Sequence, residues 1–159
     1  MNSYKDTTSL QTRILESNNQ LQKHPNFIPV IIESNEDQIR KTIKKRKLLV
    51  SRYINVSELI FSIRKQLHGF SSSEALFLFV NDEILTGNTM IGTLYDRIKA
   101  EELRNPSSND MFLYVTLALE NTFGTDLDEF NQAVDKANNL KKIYGGKISS
   151  NNLLKLYAY

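Results

Sequence analysis

The sequence predicts an α+β domain in which one mixed β-sheet carries an amphipathic helix across a face. Three observations predict it. Val56, Leu59, Ile60, Ile63 and Leu67 recur at i, i+3, i+4, i+7 and i+11, one apolar stripe of a helix. Short runs rich in β-branched and aromatic residues flank that stripe: 28–32 and 48–50 before it, 76–80 and 111–119 after it. Proline, glycine and polar clusters separate the runs, as chain reversals require.

In chain order, residues 8–23 place Leu10, Ile14, Leu15 and Leu21 at helical spacing, with Thr7, Thr8 or Ser9 available as N-cap. His24 and Pro25 end this helix, because a residue before proline avoids the α region. Ile28 to Ile32 is a strand with Pro29 near its start, where a missing N–H is tolerated. A charged stretch follows over 33–47, then a short strand at Leu48, Leu49 and Val50. Asn55 with Glu58 three residues on is a capping-box variant opening the clearest helix, and Gly69 closes it. Leu76 to Val80 is continuously apolar, hence a buried strand. Thr89 is the expected cap of a helix carrying Met90, Ile91, Leu94 and Ile98. Residues 104–110 read as a loop and 111–119 as the last long strand. The order helix, β, β, α, β, α, β fits a ubiquitin-like β-grasp, and it also fits a ferredoxin-like sandwich; the pattern alone leaves both open.

Composition narrows the chemistry. At 159 residues, 40% apolar and 24% charged, the chain suits one domain with an appendage. A net charge of +2 gives no global field for nucleic acid. Without cysteine there is no thiol nucleophile, disulfide or thiolate metal site. The two histidines, His24 and His68, stand apart from any ligand-spaced cluster, so neither catalytic residues, nor a metal, nor a cofactor is expected. No apolar run reaches membrane-spanning length, and the N-terminus lacks the apolar core of a secretory signal, so a cytoplasmic location is expected.

Several segments then carry a resemblance. These are PNFIPVIIE from Pro25, KRKLLV from Lys45, SIRK from Ser62, EALFLFVND from Glu74, FLYVT from Phe112, and ENTFG ending on Gly124. In this order, nearly gap-free from about Leu10, they resemble the autophagy-related protein 8 family of ubiquitin-like modifiers, which includes the GABA-receptor-associated proteins. The resemblance implies the β-grasp fold and three parts: an N-terminal helical extension over 1–24, a ubiquitin-like domain over 25–124, and a helical tail over 125–159.

It also implies a function in autophagosome formation. A cysteine protease would cut between Gly124 and Thr125, with Phe123 in its cleft. Activating and conjugating enzymes would then pass the Gly124 carboxylate to the amine of phosphatidylethanolamine, moving the protein from cytoplasm to the autophagosome membrane. Glycine suits a tail that threads narrow clefts, having no Cβ. Read alone, Gly124 is a turn before Asp126, and the competing reading is a non-conjugated peptide-binding adaptor whose tail stays on. Neither reading involves enzyme activity.

The family takes up cargo-receptor peptides with an aromatic-x-x-aliphatic core as a strand beside its second strand. Matched residue by residue, the aromatic pocket would comprise Glu16, Pro29, Ile31, Lys47, Leu49 and Phe112. The aliphatic pocket would comprise Leu48, Val50, Ile54, Leu59 and Ile63. Lys45, with Lys47, would attract acidic residues flanking the ligand core; read alone, the basic run Lys44 to Lys47 is a solvated face. This chain departs from the family pattern at Phe27, Leu48, Ser51, Ser62 and Gln66, and the serine in the second pocket implies weaker or shifted selectivity.

Beyond Gly124, Phe130 to Ala133 and Leu153 to Tyr157 resemble the first two of the four helices of acyl-CoA-binding proteins. Only Tyr157 maps onto a ligand-contacting position there, so no acyl-CoA site is expected. Two helices are expected over 126–140 and 149–159. Phe130, Ala133, Val134, Ala137 and Leu140 form one apolar face of the first.

Overall fold

The computed structural model describes residues 3–67, 74–104 and 109–119, and the backbone of residues 157–158. The elements are α1 (Tyr4–Thr7), α2 (Leu10–Lys23), β1 (Phe27–Ser34), α3 (Asp37–Thr42), β2 (Lys47–Ser51), α4 (Val56–Gln66), β3 (Leu76–Val80), β4 (Glu83–Ile84), α5 (Ile91–Glu102), β5 (Leu113–Leu119) and β6 (Tyr157–Ala158). They build a six-stranded mixed sheet in the order β4-β3-β5-β1-β2-β6. β1 runs antiparallel to β2 and parallel to β5, so the first and last strands of the domain lie together at its centre.

One face of the sheet carries the main core. Ile28, Val30 and Ile32 of β1, Leu48 and Val50 of β2, and Leu113, Val115 and Leu117 of β5 all point to it, following the two-residue alternation of a strand. Val56, Leu59 and Ile63 of α4 and Ile91, Leu94, Tyr95 and Ile98 of α5 cover them. The expected stripe thus packs across the sheet, with two adjustments: Ile60 is half-buried at the margin of the core, and Leu67, also half-buried, is the extended C-cap just past the end of α4. Asn55 caps α4 by accepting the Glu58 N–H at 2.9 Å, as its position predicts.

The opposite face is held differently. α2 keeps Ser9 as its cap, but its buried residues are Arg13 and Ser17 rather than the expected leucine stripe, and Leu15 is 64% exposed. Polar side chains bind this helix to the sheet. Arg13 Nε donates to Asp110 Oδ2 at 2.9 Å, and its Nη1 donates to the carbonyls of Lys5 and Thr8. The Ser17 hydroxyl accepts the Met111 N–H at 3.0 Å.

Other expectations shift as well. Thr89 does not cap α5; it shares a 2.7 Å hydrogen bond with Thr86, while its carbonyl accepts the Val56 N–H at the start of α4. Met90, expected on the buried face, is exposed. The charged stretch over 33–47 contains α3, anchored by a fully buried Ile39. α1 and the β3–β4 hairpin add to the elements expected from the sequence. The hairpin turns on Asn81 and Asp82, both at positive φ, the conformation a two-residue turn demands.

The tail brings the largest correction. The expected helix over 149–159 fails at its end, because Tyr157 and Ala158 form a strand on β2. Without them β2 would be an outer strand with unpaired backbone groups, and a short extended segment satisfies those groups where a helix cannot. The remainder of that helix, the helix over 126–140, Gly69 and the cleavage residues Phe123, Gly124 and Thr125 lie outside the described residues.

Candidate peptide-binding groove at the second strand

The register of β1 on β2 pairs Pro29 with Leu49 and Ile31 with Lys47, and the parallel pairing of Ile31 with Tyr114 brings β5 alongside. Pro29, Ile31, Lys47 and Leu49 therefore share the face that α2 covers. Phe112, just before β5, joins Ile31 there in a small buried cluster. Glu16 reaches down from α2 to Lys47, with Oε1 at 2.5 Å from Nζ. The structure thus brings all six residues of the expected aromatic pocket to one place.

That place is filled from within. The Tyr4 ring packs edge-on against Phe112 at a centroid distance of 5.6 Å and belongs to the same cluster as Ile31. Its hydroxyl donates to Glu16 Oε2 at 2.6 Å, and Lys47 Nζ lies 5.0 Å from its ring centroid. Burial, then the hydrogen bond to Glu16, raises the Tyr4 pKa. For Lys47 burial opposes the charge, but hydrogen bonding to Glu16 and Tyr4 outweighs it and the pKa is raised. At neutral pH the cluster holds a charged Lys47 and a neutral phenol, a polar lid over an apolar floor.

The expected aliphatic set divides off cleanly. Leu48 and Val50 point to the other face and pack with Ile54, Leu59 and Ile63 in the main core. Each of the five is at most 3% exposed, so here they serve as core. Ser62 is buried beside Ile63, its hydroxyl bonded to the Glu58 carbonyl at 2.9 Å, which satisfies the polar group that replaces an apolar residue of the family pattern. Lys45 is exposed, two residues before the start of β2.

Sequence reasoning missed Tyr4, Arg13, Ser17, Asp110 and Tyr114. Asp110 is the hub: besides Arg13 it accepts the Phe112 N–H at 2.9 Å and the Tyr114 hydroxyl at 2.6 Å. Lys99 steadies the same turn, donating to the carbonyls of Asp110 and Phe112. The readable signal was Arg13 and Ser17 four apart on one face of α2; Ser3 with Asp6 three residues on, a capping box, marked α1.

The family model for the autophagy protein Atg8, described as ubiquitin-like, matches residues 12–124. The chain belongs to this family. Autophagy-related protein 8 of Dictyostelium discoideum is 38% identical over 66% of this chain and 80% of its own length. Autophagy-related protein 8 of Schizosaccharomyces pombe is 34% identical over 77% of this chain and 93% of its own. Among solved structures, Trypanosoma brucei ATG8 superposes with a TM-score of 0.64 at 24% identity, covering 78% of this chain and 99% of that one. Plasmodium falciparum Atg8, solved with a peptide of Plasmodium falciparum Atg3, gives a TM-score of 0.59 at 26% identity, covering 74% of this chain and 96% of that one. The ubiquitin-like alternative is thereby chosen over the ferredoxin-like one, and the chain is an Atg8-like protein of autophagy.

Proposed function

We propose that this Atg8-family chain is a conjugated modifier, cleaved after Gly124, joined there to phosphatidylethanolamine, and able to bind receptor peptides along β2. The observation that carries this reading is that the family match ends at residue 124, on the glycine of Glu120-Asn-Thr-Phe-Gly124. The chain supplies a fold and a carboxylate and no catalytic group. The nucleophilic thiols must come from the processing, activating and conjugating enzymes, which agrees with its lack of cysteine. The Atg3 peptide bound to the Plasmodium relative supports a conjugating-enzyme partner.

The chemistry runs from carboxylate to adenylate to enzyme thioester. The lipid amine attacks the thioester carbonyl, the enzyme thiolate leaves, and an amide remains. No described helix is long and apolar enough to cross a membrane. The two acyl chains of the attached lipid would hold the protein to the autophagosome, at about 0.8 kcal/mol per buried methylene. Before that step the protein is cytoplasmic. Peptides with an aromatic-x-x-aliphatic core would add to β2, their ring displacing Tyr4 from Ile31 and Phe112, with Lys45 and Lys47 drawing in flanking acids.

The pairing of β6 with β2 favours a second reading, an adaptor that keeps its tail. Incubation with the family's processing protease separates the two. Conjugation requires release of a fragment beginning at Thr125 and its loss in Gly124→Ala; an intact chain beside a cleaved control relative would leave the adaptor.

A further inference from the structure

On the reading that β2 accepts peptides, we infer that the chain's own C-terminal strand is a built-in competitor, closing that edge until the tail is cut or displaced. The backbone geometry carries the inference. β1 and β2 exchange hydrogen bonds at alternate pairs: Ile32 donates to the Arg46 carbonyl at 2.8 Å and Arg52 to the Asn26 carbonyl at 3.0 Å. Continuing that alternation turns the N–H and C=O of Leu48 and Val50 toward β1 and those of Leu49 away from it. Pro29 stands opposite Leu49, where β1 has no N–H to give. The Leu49 groups therefore form the outer edge, and Tyr157 is their partner in the register.

An incoming peptide strand needs the same donor and acceptor, so peptide and β6 exclude each other. The contact is built to be displaced. Two residues pair, which is short for a strand, but tethering holds them at an effective concentration on the order of millimolar. A weak segment held at that level weakens a micromolar peptide without blocking it. A cut after Gly124 would then do two things at once: expose the carboxylate for conjugation and take Tyr157 and Ala158 off β2. Receptor binding would follow processing rather than precede it.

The test uses the full-length chain, Tyr157→Pro, which removes the N–H that faces Leu49, and Tyr157→Val, which keeps it. Hydrogen exchange at the Leu49 amide is measured alongside titration with a fluorescein-labelled acidic peptide carrying a Trp-x-x-Leu core. The expected result is faster Leu49 exchange and roughly three- to tenfold tighter peptide binding in Tyr157→Pro, with Tyr157→Val close to wild type. Unchanged Leu49 exchange overturns the contact. Faster exchange with equal peptide affinity overturns the competition while leaving peptide binding standing. Faster exchange with no peptide binding to any form overturns both the competition and the peptide-binding reading. Protection of Leu49 that fades on dilution overturns the built-in competitor in favour of strand exchange between copies.

Discussion

The two faces of the sheet are closed by different physics. The face under α4 and α5 is an apolar core, while the face under α1 and α2 combines the small cluster of Tyr4, Ile31 and Phe112 with the polar hub at Asp110. Dispersion and water exclusion hold the first and tolerate small adjustments. Directional bonds hold the second, and these come apart when one partner leaves. On the proposed function, a face closed by a tyrosine lid and a few polar bonds is the one that would open for a peptide without unfolding the domain. The proposed aromatic pocket lies on that face, and the residues of the aliphatic pocket belong to the other.

Substitutions can break the comparison at each level. Leu59→Asp, on the apolar face, should abolish cooperative folding, since an unpaired charge would sit in a fully buried position. Ile60→Asp on the same helix should leave a folded domain of reduced stability, and circular-dichroism melts of the pair check the difference. On the polar face, Asp110→Ala strands the buried Arg13 guanidinium and should cost about 3–5 kcal/mol in urea unfolding. If that cost fell below 1 kcal/mol, α2 would not be held by its polar bonds.

Gly92→Ala sharpens the contrast within the apolar face. Helix propensity alone favours alanine by up to about 1 kcal/mol. An added Cβ would stand 2.9 Å from the Arg52 carbonyl oxygen, a backbone atom that cannot step aside. Overpacking should win, with a net loss of about 1–3 kcal/mol; a stabilised variant would show that the chain yields at Arg52.

The smallest expected effect is alkaline. Tyr95 and Tyr114 have pKa values raised by burial, and for Tyr114 also by its hydrogen bond to Asp110. Tyr4 is raised in the same sense, by burial and then by its bond to Glu16. A phenol whose folded pKa is raised stabilises the protein below the unfolded value near 10.0. That contribution is lost as pH rises toward the folded value. The urea midpoint should therefore hold steady between pH 7 and about 9 and fall above 10. Tyr114→Phe should flatten part of that fall through the polar face and Tyr95→Phe part through the apolar one.

Which parts were legible in the sequence follows from the same contrast. Val56, Leu59 and Ile63 announce α4 because an apolar core writes its period into the chain, and Leu76 to Val80 announces β3 likewise. α2 is legible as a helix, but its apolar positions do not mark the centre of its buried face: Leu10, Ile14 and Leu21 are half-buried, while Arg13 and Ser17 are buried by partners nearly a hundred positions on. α3 has one buried apolar residue, Ile39, too little for a period. The six residues matched to the aromatic set lie on one face, yet Tyr4, which packs among them, falls outside the matched segments. β6 is illegible in the sequence because two residues carry no period; their strand is decided by an edge more than a hundred positions upstream.

The central claim is that Gly124 is where this chain meets a lipid. The most direct measurement is the intact mass of the chain after reconstitution with the family's protease, activating and conjugating enzymes and vesicles containing phosphatidylethanolamine. The account predicts a product ending at Gly124 heavier by one phosphatidylethanolamine less one water, and none from Gly124→Ala. A wild-type chain that keeps its full-length mass, or is trimmed to Gly124 and never gains the lipid while a control relative does, contradicts it.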